Sequence, residues 1–564
     1  MSTNDIHNIA FQLSQTAQEM PDAVAIAAPK KSHPRGRDAY RQVTFRQLDE
    51  QSSRWATGLQ DLGIRPGQRI VLLVRPGIEF ISLTFALFKT GAVVVLIDPG
   101  MGRDHLLQCL EDVNPDGFVA IPLAQIARWI HRRRFPNATR NVTVGPRLWT
   151  GPTLATLDRS SKRTYQAPTV GPKDPAAIIF TTGSTGPPKG VLYEHGNFAT
   201  QVQQLQDQYH IEPGEVDLPG FPLFALFNSV MGVTTVIPDM DPRKPAEVDP
   251  PRIVQAIGDW HVTQAFGSPA IWNRVGKHCE KHHLKLPTLK RILSAGAPVP
   301  PHVLQRMMNT MNEGGEMHTP YGATESLPVA TIAASEVLAE TAAQTATGSG
   351  TCVGRRFSAI EWRVVEISDE PIVDICQATT LPTGIIGELI VRGPAVTRAY
   401  VTRTEANALA KIADGNHFWH RIGDVGYLDD QDRFWFCGRK THRLRTGRGP
   451  MFTVPCEAII NQHPAIYRSA LVGVGVPGAE IPVIIAEPWE NQFPITDDSG
   501  QQLRAELYDR GQQHELTRLI RREHYLLHRS LPVDIRHNAK IFREKLRPWA
   551  TTQLANSNTT INNA

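Results

Sequence analysis

The sequence predicts an α/β protein with parallel sheet at its centre, and three observations carry that reading. Arg69–Val74 (RIVLLV) and Val93–Asp98 (VVVLID) read as buried strands, with a helical run, Ile78–Lys89, between them. Strand, helix, strand at this spacing is a βαβ unit, whose crossover makes the two strands parallel. The chain of 564 residues is 41% hydrophobic, 20% charged and 7% aromatic, which supplies large cores and excludes disorder along most of its length. A glycine-rich loop follows directly on a third strand-like run, Ala176–Phe180. At roughly 100–200 residues per domain, the length suggests about three to five domain-sized units.

In chain order, the N-terminus MSTNDIHNIAFQLSQ lacks a basic segment followed by an apolar one, so no secretory signal is expected. Thr44 opens a helix, and Gln47 stands where a capping box needs it. Phe45, Leu48, Trp55, Leu59 and Leu62 share one face of that helix, and Gly63 sits at its C-terminal stop. The βαβ unit follows. Residues 121–172 hold Arg132-Arg133-Arg134 and many Pro, Gly, Thr and Ser residues. They are expected to form a surface excursion with little regular structure, the basic run being a solvated face before a membrane-docking one. Leu218–Pro238 is 21 residues without formal charge. Gly, Pro and Asn interrupt it too often for a membrane span, so core wall or an apolar pocket lining is expected. Residues 333–350 end in a small-residue loop, and the last segment, TQLANSNTTINNA, reads as a frayed tail.

Net charge is +4 and the pI is 8.7, which suits anionic ligands without demanding nucleic acid. Six scattered cysteines form no CxxC or Cys/His ligand spacing, so neither a disulfide scaffold nor a structural zinc site is expected. A cytoplasmic protein with no transmembrane segment is the expectation.

The sharpest signal is Phe180-Thr-Thr-Gly-Ser-Thr-Gly-Pro-Pro-Lys-Gly190. Bare N–H groups and hydroxyls can converge on an anion here, and Lys189 adds positive charge. A Walker A loop needs Gly before the Lys and Ser/Thr after it. Here Pro188 precedes Lys189 and Gly190 follows, so a P-loop enzyme is disfavoured.

The loop resembles the signature of the adenylate-forming superfamily, which includes acyl-CoA synthetases, luciferases and peptide-synthetase adenylation domains. Further segments are similar in the expected order: Ser294-Ala-Gly-Ala-Pro298, Tyr321-Gly-Ala-Thr-Glu325, Gly387–Pro394 (GELIVRGP), Arg421-Ile-Gly-Asp424, Phe436-Cys-Gly-Arg439, and Leu531-Pro-Val-Asp with Asn538-Ala-Lys540. The resemblance spans nearly the whole chain. It implies ATP and Mg²⁺, with Thr181, Thr182, Gly183, Ser184, Thr185, Gly186 and Lys189 around the phosphates. Gly296, Ala297, Pro298, Tyr321 and Gly322 would lie beside adenine, Thr324 would contact phosphate, and Glu325 would hold the metal. Asp424 and Arg439 would face ribose. Lys540, Glu325 and Thr185 would be the catalytic residues. The implied architecture is a large N-terminal domain, 1–438, with two α/β subdomains and a β-rich part. A small mobile α+β domain, 439–564, would carry Lys540.

Three departures from the family pattern stand out. Ala225 replaces the His or aromatic that often follows Pro-Leu-Phe, Thr441 takes the hinge position, and Leu444–Pro455 is about two residues longer than usual. The last of these counts against CoA as acceptor. The pattern through Asp534–Leu546 resembles the branch of olefin β-lactone synthetases. That branch implies activation of a long-chain 2-alkyl-3-hydroxy acid as acyl-AMP, followed by attack of its own hydroxyl to close a β-lactone. It also implies assembly with a thiolase-like enzyme, a reductase and a hydrolase-like enzyme. The competing readings are a long-chain acyl-CoA or acyl-AMP ligase, and a non-catalytic acyl- or nucleotide-binding member of the fold. No spacing among the twenty histidines selects a base for the hydroxyl proton.

Overall fold

Two parallel-rich sheets, an antiparallel sheet and a small C-terminal unit organise the chain. The computed structural model describes residues 8–30, 36–147, 151–160, 164–181, 187–534 and 540–562. The first sheet runs Arg140–Thr143, Gly117–Ala120, Arg69–Leu73, Val93–Leu96, Pro175–Phe180, Gly190–Glu194 in spatial order. All neighbours are parallel except the last pair. The βαβ unit is therefore as expected, with its helix at Ile78–Lys89. The Phe45–Asp61 helix packs on it. Its capping box is complete: Thr44 Oγ1 accepts from Gln47 N (3.2 Å), and Gln47 Oε1 accepts from Thr44 N (3.0 Å).

The second sheet runs Glu316–His318, Arg291–Ser294, Gln264–Gly267, Val216–Pro219, Thr234–Val236, Val24–Pro29, Tyr40–Thr44. It is parallel up to the final, antiparallel strand. A third, antiparallel sheet is built from strands between Tyr321 and Arg439. From Leu444 onward the chain forms a hairpin, Leu444–Thr446 with Gly449–Met451, and a three-stranded sheet, Ile466–Val474, Ile481–Pro488 and Tyr525–Leu527. Helices Thr453–Ile460, Asp497–Gln512 and Arg543–Asn562 surround it. That hairpin lies within Leu444–Pro455 and turns at Gly447-Arg448.

Two expectations are corrected. Residues 121–172 are not irregular: they contain helices Pro122–Ile130 and Leu154–Ser160 and the edge strand Arg140–Thr143. Pairing makes that strand. Gly117 lets it approach, because a Cβ there would lie 1.8 Å from the Arg140 carbonyl oxygen. The C-terminal segment is also not frayed, since the Arg543–Asn562 helix extends into it. Leu546 and Ala550 anchor that helix by burial against the Ile466–Val474 and Ile481–Pro488 strands. The uncharged stretch 218–238 is both things expected of it. Ala225, Val233 and Val236 are fully buried, while Phe221, Leu223 and Phe224 line a cavity.

Candidate active site

In open parallel sheets, ligands bind beyond the carboxyl ends of the strands. Both parallel sheets here turn those ends toward one cavity of about 3830 Å³. Leu73, Leu96, Phe180 and Thr181 border it from the first sheet, and Pro219, Phe266 and Ser294 from the second. A drug-sized site occupies roughly 300–1,000 Å³, so there is room for a nucleotide and a long acyl chain together.

The segments singled out in the sequence meet on this cavity. Thr181, Lys189, Gly296, Ala297 and Pro298 line it, as do Tyr321, Gly322, Thr324 and Glu325. So do Asp424, Arg439 and Lys540, the last lying over 200 residues from Tyr321 in sequence. Thr182, Gly183, Ser184, Thr185 and Gly186 lie outside the described residues. The base of their loop is closed by Thr181, whose N donates to Lys189 O (3.0 Å) and whose Oγ1 accepts from Lys189 N (3.1 Å).

Hydrogen bonds order the polar wall. The Tyr321 hydroxyl donates to Asp424 Oδ2 (2.5 Å), and Arg439 Nη1 donates to Asp424 Oδ1 (2.7 Å). Asp424 follows Gly423, which sits at φ +77, a conformation that favours glycine. Burial and the Asp424 charge hold the Tyr321 hydroxyl well above its ordinary pKa, so it remains a donor. The Asp424 charge also raises the pKa of Arg439. The backbone carbonyl of Glu325 accepts from Thr397 N and Oγ1 (both 2.9 Å), and its Oε1 accepts from the Tyr400 hydroxyl (2.6 Å). Lys189 Nζ lies 4.6 Å from the centre of the Tyr400 ring. Burial lowers the pKa of Lys189, while Glu325 opposes that shift. Lys540 is held by its backbone: its N donates to Asp534 Oδ1 (2.8 Å), and Asp534 N donates to its carbonyl (3.0 Å).

Three participants were not legible beforehand. Tyr400 orients Glu325 and contacts Lys189, but a lone tyrosine after a loop carries no signal. Lys411 donates to the Thr397 carbonyl behind the same wall, and burial pushes its pKa down to about 7. Glu388, in the strand Gly387–Arg392, is fully buried between two cations. Arg421 reaches it at 2.6 and 3.1 Å, and Lys440 at 3.0 Å. Glu388 therefore ties the strand that carries Asp424, through Arg421, to Lys440 just past the end of the neighbouring strand Arg433–Arg439. Of the histidines, His105 and His442 line the cavity among the described residues. Burial and the cations Arg543 and Arg439 push His442 down to about 3, which keeps its imidazole neutral.

The far part of the cavity is apolar. Phe224 stacks on Phe266 with centroids 3.8 Å apart, and Phe221 and Phe227 adjoin it edge-on. Ala225 is fully buried in the Phe224–Met231 helix and does not line the cavity.

A family model described as AMP-binding enzyme matches residues 13–401. The chain is 47% identical over 560 residues to an olefin β-lactone synthetase of Stenotrophomonas maltophilia, covering 97% of this chain and 98% of that one. It is 44% identical over 554 residues to an olefin β-lactone synthetase of Xanthomonas campestris pv. campestris, with the same coverage. Its fold matches that of an O-succinylbenzoate coenzyme A synthetase of Bacillus subtilis in complex with ATP and magnesium ion. The TM-score is 0.72 at 19% identity, over 95% of this chain and 98% of that one. The chain thus belongs to the adenylate-forming, AMP-binding enzyme family and, within it, to the group of the olefin β-lactone synthetases.

Proposed function

We propose that the protein activates a long-chain 2-alkyl-3-hydroxy acid with ATP and closes it to a β-lactone, releasing pyrophosphate and AMP. The observation that carries this is the meeting of Lys189, Glu325, Asp424, Arg439 and Lys540 on one cavity whose other walls are apolar. The similarity to two β-lactone synthetases over 97% of the chain supports the second half of the reaction.

In the first step a substrate carboxylate oxygen attacks the α-phosphorus of ATP. The bond to the β-phosphate oxygen breaks, pyrophosphate leaves, and an acyl-adenylate remains. Two anions must approach, so the site has to supply positive charge. Lys189 and the loop preceding it hold the β and γ phosphates. Tyr321 presents its ring to adenine, and Asp424 accepts from the ribose hydroxyls, with Arg439 beside it. Lys540 stabilises charge that develops between carboxylate and phosphate. Among the described residues no cluster of three His, Cys, Asp or Glu side chains could hold a resident ion. A single carboxylate, Glu325, together with phosphate oxygens fits a Mg²⁺ that arrives with the nucleotide. When bound, that ion polarises the phosphoryl oxygens.

In the second step the 3-hydroxyl oxygen attacks the acyl carbon, the acyl–phosphate bond breaks, AMP departs and the hydroxyl proton is released. A nucleophile within the substrate has a high effective concentration, which offsets part of the strain of a four-membered ring. Assembly with other enzymes of hydrocarbon synthesis belongs to the same reading. No helix among the described residues is long and apolar enough to cross a membrane.

The test is product analysis. Purified protein, Mg-ATP and a long-chain 2-alkyl-3-hydroxy acid are mixed without CoA, and AMP and β-lactone are sought by NMR. Lactone and AMP in equal amounts are expected. Thioester from a simple fatty acid with CoA, and no lactone, would return the protein to the CoA ligases.

A further inference from the structure

The helix Pro122–Ile130 is inside out. Leu123, Ile126, Ala127 and Ile130 recur at i, i+3, i+4 and i+7 and form one stripe, which on a surface helix normally faces the core. Here the stripe faces outward. Leu123 is 72% exposed, Ile130 57%, and neighbouring Trp129 58%. The polar side faces in. The Gln125 amide donates to the carbonyls of Phe118 (3.2 Å) and Val142 (2.9 Å), and its oxygen accepts from Arg128 Nε (2.8 Å). These bonds fix the helix in this orientation.

Cations follow immediately. Arg134 is neutralised by Glu111 at 2.5 Å. Among the described residues Arg132 and Arg133 have no ion-pair partner. The Arg132 guanidinium lies over the Trp129 ring at 5.1 Å, and His131 contacts Arg103 at 3.3 Å. The patch thus combines exposed aliphatic and indole groups with two uncompensated arginines. It also touches the cavity: Leu123, Ala124 and Ala127 belong to the cavity wall. Because Leu123 is both wall and surface, the cavity reaches the exterior at this helix.

We propose that this surface docks on an anionic lipid bilayer, and that long-chain substrate enters the cavity there. Indole and aliphatic side chains at the headgroup boundary, with arginines on lipid phosphates, are the chemistry of an interfacial helix. A protein partner would explain the apolar stripe. The unpaired arginines and the cavity mouth favour lipid. Entry of substrate rests on the long-chain reading above, whereas bilayer docking does not, and docking is tested without substrate so that its failure is distinct from a failure of that reading.

The full-length protein is sedimented with mixed phosphatidylglycerol–phosphatidylcholine vesicles, with pure phosphatidylcholine vesicles, and at low and high salt, all without substrate. Binding to the mixed vesicles is expected, weakened by salt and by removal of the anionic lipid. The variants Ile126→Ser/Trp129→Ser/Ile130→Ser and Arg132→Gln/Arg133→Gln should each lose roughly tenfold or more in partitioning. Circular dichroism and ATP–pyrophosphate exchange with a short, soluble 3-hydroxy acid should stay at wild-type level, which shows that the variants are folded. Wild-type protein left in the supernatant with mixed vesicles would overturn the proposal, whether or not it then associates with another protein. Folded variants that sediment like wild type would overturn it as well.

Discussion

Asp217 offers a stability prediction that is independent of catalysis. It lies in the Val216–Pro219 strand, 3% exposed, and accepts a hydrogen bond from Asn228 Nδ2 at 2.7 Å. Burial pushes its carboxyl up to about 7 from an ordinary 3.8, against the pull of Asn228 and Arg291. The folded protein therefore keeps this proton up to about pH 7, while the unfolded chain releases it near pH 4. The native state binds more protons within that window, so stability falls as pH rises through it and levels off above pH 7. At about 1.4 kcal/mol per unit, the full cost of ionising Asp217 in place is about 4 kcal/mol. Roughly half of that, about 2 kcal/mol, accrues between pH 5.5 and 8.5. Asp217→Asn removes the titration and retains an acceptor for Asn228. Amide hydrogen exchange in peptides covering Val216–Pro219 and Gln264–Gly267 gives the local opening free energy of this sheet, without assuming two-state unfolding of a multidomain chain. The variant should gain about 2 kcal/mol on wild type when pH is raised from 5.5 to 8.5. A difference that does not change with pH would refute the argument from burial.

Lys540→Ala should slow acyl-adenylate formation roughly 10²–10³-fold, the scale of losing one preorganised donor; near-normal pyrophosphate release would remove Lys540 from that step. Tyr400→Phe takes a charge-assisted hydrogen bond from Glu325, a loss of about 1.5–3 kcal/mol if felt fully. It should raise the Mg²⁺ concentration needed for half-maximal exchange, and an unchanged magnesium dependence would count against Glu325 as the metal ligand. Glu388→Ala strands Arg421 and Lys440 without their carboxylate, and breaking a buried pair of this kind costs about 3–5 kcal/mol. Protection from hydrogen exchange should fall first around the strand His417–Leu428.

Legibility of the sequence tracked the distance over which each feature is determined. The Thr44–Gln47 capping box spans four residues, and it is present as read. The Arg69–Leu96 βαβ unit is likewise a local pattern. The strand Arg140–Thr143 has little apolar periodicity of its own and exists because the edge beside Gly117–Ala120 needs a partner, so composition alone hid it. The polar wall joins Tyr321 to Asp424 across 103 residues, and only the order of several motifs brought the two together beforehand. Tyr400 and Glu388 act through contacts that no short pattern announces. The C-terminal helix was hidden by its Asn and Thr content, although Leu546 and Ala550 are spaced to share a face.

The placement of the cavity at the carboxyl ends of two separate sheets also divides the molecule for an engineer. Side chains such as Phe221, Phe224 and Phe227 project from one turn and helix beyond the strands, and no strand ladder depends on them. Exchanging these for larger or smaller apolar residues should retune the length of acyl chain accepted while leaving both sheets intact. The same layout makes the separation of the two sheets a second dial. A change that slides one slab against the other would alter nucleotide and acyl selectivity together, whereas changes at the opposite, amino-terminal edges should register only as melting temperature.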